Sequence, residues 1–403
     1  MLNNFDNQSF RAQFPAIDKL GMIYLDSAAT ALKPLKMIEA ISRYTIENGA
    51  TVHRSLHSVG KSTTELYEQA RYNVCSLING ASIDNVIWTD GTTASMNIIA
   101  HGYLRNVLNP GDEILINDSE HHSNIVPWIQ IANEMNATLV RIPLNKNGSI
   151  KIDALESLIN KKTKFIAITQ MSNVTGFMPD IDYIISVAHR YGVKVSVDGA
   201  QGIVHNPIDV QKTKVDFYSF SAHKLYGPNG VGVLYYSPAV SRDFSPFYGG
   251  GQMLSDISGN EISFKKSPFC FEPGTPNIMG ILGFGATLEW LKTYNFDDMS
   301  KYSSYLSRLA RSELEEKIPG FICFSDDDSS ILSFNIKNIH HVDFATLLSE
   351  YGLLLRSGKH CAIPLMKHFS ISGTLRASFS PYNNESDVEK LVSAIIDINK
   401  DFG

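Results

Sequence analysis

Strand and helix signals alternate along most of the chain. That alternation predicts an α/β fold, with a mainly parallel sheet covered by helices on both faces, followed by a smaller α+β part. Two further observations support it. Apolar runs end in polar or glycine-bearing turns, as at Asp90-Gly91 and Asp198-Gly199, the kind of strand end where α/β proteins place ligands. After residue 294 the order becomes a long helix and then several short strands with one helix among them. A domain boundary is therefore placed near Tyr294. The large domain is expected over residues 19–294 and the small one over residues 1–18 and 295–403.

The elements follow in order. Residues 22–25 read as a first strand, and Pro34 opens a helix to about residue 48. Ser62-Thr63-Thr64-Glu65 forms a capping-box pattern, which predicts a helix from residue 62 to about 79. Strands are expected at 86–89, 113–116, 139–142, 164–168, 194–197, 217–220 and 231–236. Helices fall between them, from about residue 94, around Trp128, from residue 153 and over 181–191. Residues 238–276 read as loop-rich, which in a compact protein points to function or an interface. Leu282, Ala286, Leu288 and Leu291 mark the buried face of a helix over 278–294. The last part reads as helices at 299–317, 342–351 and 386–399, with strands at 321–324, 331–336, 353–356 and 374–379.

Composition narrows the function. Hydrophobic residues make up 43% of the 403 and charged ones 19%, which allows a large core and argues against disorder. The formal net charge of -6 carries no nucleic-acid footprint. No apolar run approaches a membrane span, and residues 1–15 hold no signal-peptide core. Cys75, Cys270, Cys323 and Cys361 lie far apart without a CxxC pattern, so a reducing cytoplasm is the expected setting.

The chemistry converges on residues 216–228. A short apolar strand there runs into Ser221-Ala222-His223-Lys224, and Gly227-Pro228 forbids an ordinary helix. A lysine held among apolar neighbours loses ammonium solvation, and its amine becomes available for a Schiff base. Pyridoxal phosphate needs such a lysine and an acid for its ring nitrogen, and Lys224 and Asp198 form that pair. A solvated surface lysine is the plainer alternative. Thr92 and Thr93 open a helix and could seat an anion, although an ordinary hydroxyl cap accounts for them equally well.

The histidine pairs His121-His122 and His340-His341, and His53 with His57, lack the further ligands a metal needs. His121 could instead lie flat against an aromatic cofactor. Asn173 sits in a turn facing the crevice. Cys361 differs from the other cysteines by lying in a glycine-containing loop beside Lys359 and His360, where nearby positive charge favours thiolate. Cys75 and Cys323 read as core, while Cys270 is ambiguous. Arg376 lies mid-strand and needs an anion, either a substrate carboxylate or a structural Asp or Glu. Arg356 stands in a similar position just before the cysteine loop.

Together these segments resemble the fold-type-I, pyridoxal-phosphate-dependent cysteine desulfurases of the class-V aminotransferase group. The matching pieces are residues 24–30, 52–54, 91–93, 120–128, 172–176, 197–201, 221–224, 274–277, 356–366 and Arg376. They span nearly the whole chain in order. Within the group the chain is most similar to the cysteine sulfinate desulfinase branch, near the Suf-type enzymes.

The resemblance implies a large domain with a mainly parallel seven-stranded sheet and a small α+β domain carrying the cysteine loop. It implies that Lys224 bonds the cofactor and moves protons, that Asp198 pairs with the ring nitrogen, that Gln201 meets the phenolic oxygen, and that His121 stacks on the ring and takes part in catalysis. Thr93, Ser221 and His223 would hold the phosphate, and Thr275 would reach the neighbouring subunit's phosphate in a homodimer. Asn173, Arg376, Arg356, Ala28 and His53 would bind the substrate L-cysteine. Cys361 would take the sulfur as a persulfide and pass it to a SufE-like acceptor protein, as in iron–sulfur cluster assembly. Selenocysteine or cysteine sulfinate as the main substrate, or a non-catalytic scaffold that binds acceptors, are the alternatives. The chain departs from the group at Ala222, where glycine is common, at Lys359, where a second histidine stands, and at Pro273, where alanine is usual.

Overall fold

The computed structural model describes residues 5–402. Seven strands form the main sheet. Their order across it is Val86–Thr89, Gly232–Tyr236, Phe217–Ser221, Lys194–Asp198, Thr163–Thr169, Glu113–Asn117 and Thr138–Ile142. All neighbours pair in parallel except Gly232–Tyr236, which runs antiparallel to both strands beside it. The central strands are buried along their length, as expected when helices cover both faces. Period-two alternation divides their side chains: Ile166, Ile168, Val195 and Val197 enter one core, while Phe165, Ala167 and Phe217 enter the other.

A second, four-stranded antiparallel sheet has the order Phe321–Cys323, Ile331–Ile336, Thr374–Ser378 and Arg356–Gly358. It packs on Phe296–Lys317 and Glu385–Phe402 through Leu306, Leu314, Leu332, Leu375, Leu391 and Ile395. The N-terminal segment touches both bodies. Phe10 and Phe14 pack among Tyr226 and Trp290, whereas Asn7 and Arg11 bond the carbonyls of Pro381, Asn383 and Tyr382. Ile23–Tyr24 pairs in parallel with Leu353–Leu354.

The structure departs from the expected elements in several places, of which three are instructive. The second helix starts at Ser58, not at Ser62, because the His57 imidazole accepts the Gly60 N–H and caps it. His53 and His57 therefore precede that helix. The expected strand over 353–356 is split between two sheets, with Leu353–Leu354 in one and Arg356–Gly358 in the other. Residues 238–276 are not all loop: Leu254–Ser258 and Glu261–Phe264 form a hairpin around Gly259-Asn260.

Candidate active site

A cavity of about 180 Å³ lies where Thr163–Thr169, Lys194–Asp198 and Phe217–Ser221 end. Lys224, Asp198 and His121 line it from the large sheet. Arg356, Cys361 and Arg376 line it from the four-stranded sheet and its loop. Parallel strands bring their C-terminal ends to one edge, so residues far apart in sequence meet there.

Asp198 is buried, and its Oδ1 accepts the Ala200 N–H at 2.9 Å. Its other oxygen takes no hydrogen bond among the described residues. Burial raises its pKa, and the nearby Lys224 opposes that shift. Lys224 stands on a single helical turn, Ala222–Lys224, directly after the strand. Burial lowers its pKa to about 8, with Asp198 opposing and Arg376 and Arg356 reinforcing the shift. A substantial neutral-amine fraction therefore exists near pH 8.

His121 receives the Ser123 N–H on Nδ1 at 3.1 Å, which assigns the ring proton to Nε2. Burial, helped by Lys224, holds its pKa near 3, so the ring is neutral. Behind it Glu120 is wholly buried and accepts N–H groups from Asn117, Asn124 and Thr169. Burial pushes the Glu120 carboxyl up to about 8, against those donors.

The opposite end suits an anion. Gly91 holds φ 151°, a value side-chain-bearing residues rarely adopt, and sets up the helix that begins at Thr92. Ser221 Oγ accepts the Thr92 N–H at 2.8 Å and lies 2.8 Å from Thr92 Oγ1. Thr93 and His223 also face the cavity. Burial lowers the His223 pKa to about 4. Gln201 Nε2 donates to Ala28 O at 2.6 Å, and both residues line the cavity.

The arginines stand directly opposite each other, Arg356 against Arg376, in antiparallel register. Like charges in that relation are unfavourable unless an anion lies between or beside them. Asp26 supplies part of the answer: it pairs with Arg376 Nη2 at 3.0 Å. Arg376 Nη1 donates to Asn173 O at 2.9 Å, and its buried Nε has no partner among the described residues. Asn173 in turn donates to His360 O at 2.8 Å and so ties the arginine to the cysteine loop.

Cys361 is an exposed free thiol in that loop. Both His360 (φ 50°) and Cys361 (φ 55°) are left-handed, an arrangement costing about 1–2 kcal/mol each for residues other than glycine. His360 is not the cation expected beside the thiol. It is buried, its Nε2 faces Thr374 O at 3.1 Å, and burial holds its pKa near 3. Positive charge at the cavity comes from Arg356, Arg376 and Lys224 instead.

His53 and Thr275 lie outside this cavity. His53 sits against Tyr67 and Phe269, 3.6 Å from Glu68, and lines a separate pocket. Thr275 is exposed on a cavity of about 480 Å³ beside Trp88 and Gly250. His122 carries no local signal beyond its place next to His121, a pair that lacks the further ligands of a metal site. Its N–H donates to Cys361 O at 2.8 Å, and its Nε2 accepts the Ile363 N–H at 3.1 Å, so it straddles the cysteine.

The residues of the cavity fit pyridoxal phosphate. An amine near neutrality, a carboxylate with a free oxygen, a neutral imidazole and a hydroxyl-lined helix start are the groups its aldehyde, ring nitrogen, ring face and phosphate require.

Known proteins match throughout. Cysteine desulfurase CsdA of Escherichia coli K12 is 45% identical over 394 residues, covering 98% of each chain. The crystal structure of that enzyme in its S-sulfonic acid form superposes with a TM-score of 0.95 at 44% identity, covering 100% of each chain. The apo structure of a cysteine desulfurase from Thermococcus onnurineus NA1 gives 0.94 at 30% identity, again covering 100% of each. The class-V aminotransferase profile matches residues 23–391. A cofactor-ready lysine at the end of a seven-stranded sheet, and full-length likeness in sequence and structure, lead to one conclusion: the chain belongs to the class-V aminotransferase family.

Proposed function

We propose that the protein is a pyridoxal-phosphate-dependent cysteine desulfurase, which converts L-cysteine to L-alanine and moves the sulfur onto Cys361. The observation that carries this reading is that Lys224 and Cys361 line one cavity with Arg356 and Arg376. An aminotransferase has no use for the thiol.

The cofactor, when bound, supplies an electron sink conjugated to the substrate's amino nitrogen. Lys224, Asp198, Gln201 and His121 would hold its ring system, and Thr93, Ser221 and His223 its phosphate. Arg376, with Asn173, would fix the substrate carboxylate through donors not engaged by Asp26 and Asn173 O. Arg356, Ala28 and His53 complete the expected substrate contacts, with His53 arriving from a second subunit. Lys224 takes the Cα proton as a neutral amine and returns protons to the product. The Cys361 thiolate attacks the substrate sulfur. An S–S bond forms, the Cβ–S bond breaks, and its electron pair stays on carbon, where a proton completes alanine. Cys361 is left as a persulfide.

The wider assembly belongs to the same reading. Thr275 and His53 lie away from their own chain's cavity, and Ile46 and Leu56 are 82% and 87% exposed, which supports a homodimer with composite sites. An exposed Cys361 supports hand-over to a SufE-like acceptor protein. Four free cysteines suit a reducing cytoplasm. No helix among the described residues is long and apolar enough to cross a membrane. The two sheets support a large unit that ends near residue 294 and a small one over 295–403, whereas the segment before residue 25 contacts both, through Phe10 and Phe14 on Tyr226 and Trp290 and through Ile23–Tyr24 on Leu353–Leu354.

The test is alanine release from L-cysteine with a thiol reductant, for wild type and Cys361→Ala, repeated with L-cysteine sulfinate. The variant loses the cysteine reaction and keeps the sulfinate one, because sulfinate departs without a thiol attacking it. Retention of both reactions by the variant would remove Cys361 from the mechanism.

A further inference from the structure

Lys33 is a partly buried cation close to the Lys224 turn, and the reaction described above leaves it unused. It makes no ion pair among the described residues. Its Nζ donates instead to two neutral acceptors, His223 O at 3.0 Å and Thr30 Oγ1 at 3.3 Å. Burial lowers its pKa to about 8, so the charged form is held at a cost with no carboxylate to offset it.

The acceptor is what makes this informative. His223 O also accepts the Ala31 N–H at 3.0 Å and the Thr30 hydroxyl at 3.3 Å. Three donors therefore converge on a carbonyl that has two lone pairs. That carbonyl belongs to the peptide bond whose nitrogen is the backbone nitrogen of Lys224. A peptide unit is planar, so clamping its oxygen fixes the place of the Lys224 Cα, the root from which the side chain leaves. The other side of the turn is held separately: Ala222 O accepts both Leu225 N–H and Gly227 N–H at 2.9 Å, and Ala222 N–H donates to Val231 O at 2.9 Å.

We propose that Lys33 is a positioning residue for Lys224, its ammonium clamping the His223 carbonyl so that the Lys224 side chain reaches the cavity along one path. The proposal rests on the reading of Lys224 as the cofactor-linked residue. It matters most once per turnover, when the Lys224 amine has been displaced by substrate and must return. A side chain hung from a rotating peptide plane would sample many directions before returning. A misplacement of about 1 Å costs up to roughly a hundredfold in such steps.

The experiment uses the full-length holoenzyme. It is mixed with L-alanine, which displaces Lys224 and offers no leaving group. The mixture is then diluted, and the return of the original visible absorbance gives the rate at which residue 224 rebinds the cofactor. Borohydride reduction and mass spectrometry confirm the bond at residue 224. Lys33→Met keeps the aliphatic stem and loses the donors. It is expected to slow return roughly tenfold, with Lys33→Arg restoring most of the rate. Thr30→Val, which removes one of the three donors, gives a smaller slowing in the same direction. A Lys33→Met protein that melts earlier but returns at the wild-type rate would overturn the proposal, since Lys33 would then serve packing alone. Should Lys33→Met fail to fold, Thr30→Val decides: slowed return supports the clamp and an unchanged rate overturns it. Absence of a borohydride-trapped bond at residue 224 in wild type would be a different failure, that of the functional reading itself.

Discussion

The two sides of the cavity are built on opposite plans. Lys224 follows a strand buried along its whole length, and the peptide before it is gripped by three donors. Cys361, about the same cavity, stands exposed on a loop of two successive left-handed residues. That loop is held by a few bonds from His122 and Asn173 and by its own Ala362 N–H to Lys359 O. The first arrangement suits the proton transfer proposed for Lys224, and the second suits the sulfur carrier proposed for Cys361.

The strongest attempt to break this contrast is Lys224→Ala. Loss of the amine proposed to move protons is expected to lower alanine release from cysteine and from cysteine sulfinate alike by at least about 10³-fold, combining the typical contributions of covalent and acid–base catalysis. Steady-state alanine release checks it, and a variant that kept one of the two reactions would show that the lysine is not common to both.

Stability should divide the same way. Thr92→Val leaves the buried Ser221 hydroxyl short of a partner and is expected to cost about 1–3 kcal/mol. Cys361→Ala alters an exposed side chain and changes stability by less than about 0.5 kcal/mol. Denaturant titration of both variants tests the pair, and equal losses would mean the cysteine loop is as firmly built in as the floor.

A pH-dependent effect concerns His360. Its pKa is about 3 in the folded protein against 6.5 ordinarily. As pH falls below 6.5 the unfolded chain takes up a proton that the folded one does not, so stability drops through the window from 6.5 to about 3 and is unaffected above it. Asparagine tolerates the left-handed backbone, so His360→Asn keeps the loop while removing this titration. The thermal midpoint of His360→Asn then falls less steeply with acid than that of wild type. Parallel curves would place His360 in contact with solvent.

Much of this was legible in the amino-acid order. Val86–Thr89 and Ile331–Ile336 stand where alternation and apolar runs placed them, and the polar strand ends at Asp198 and Lys224 do meet. What was not legible depended on partners distant in sequence. No local pattern says that the run at 353–356 divides between two sheets, or that Arg356 faces Arg376. His360 looked like a cation beside a thiol because sequence adjacency hides direction: the ring turns inward while the thiol stays exposed. The hairpin around Gly259-Asn260 did carry a signal, a two-residue Gly-Asn turn between two short runs. Its outward Ile257 and Ile262 obscured it, since exposed apolar residues mimic neither a core strand nor a loop.

The N-terminal segment has a consequence for how the molecule is made. Asn7 and Arg11 bond residues near the other end of the chain, the Arg11 partner lying 371 positions later. At the usual ribosomal pace of about 5–20 residues per second, that partner is synthesised roughly 20 to 75 seconds after Arg11 itself. This segment is therefore made long before the residues that satisfy it. A nascent chain must carry Phe10 and Phe14 without these partners until Tyr226 and Trp290 have left the ribosome, which makes this segment a natural handle for whatever accompanies the chain during synthesis.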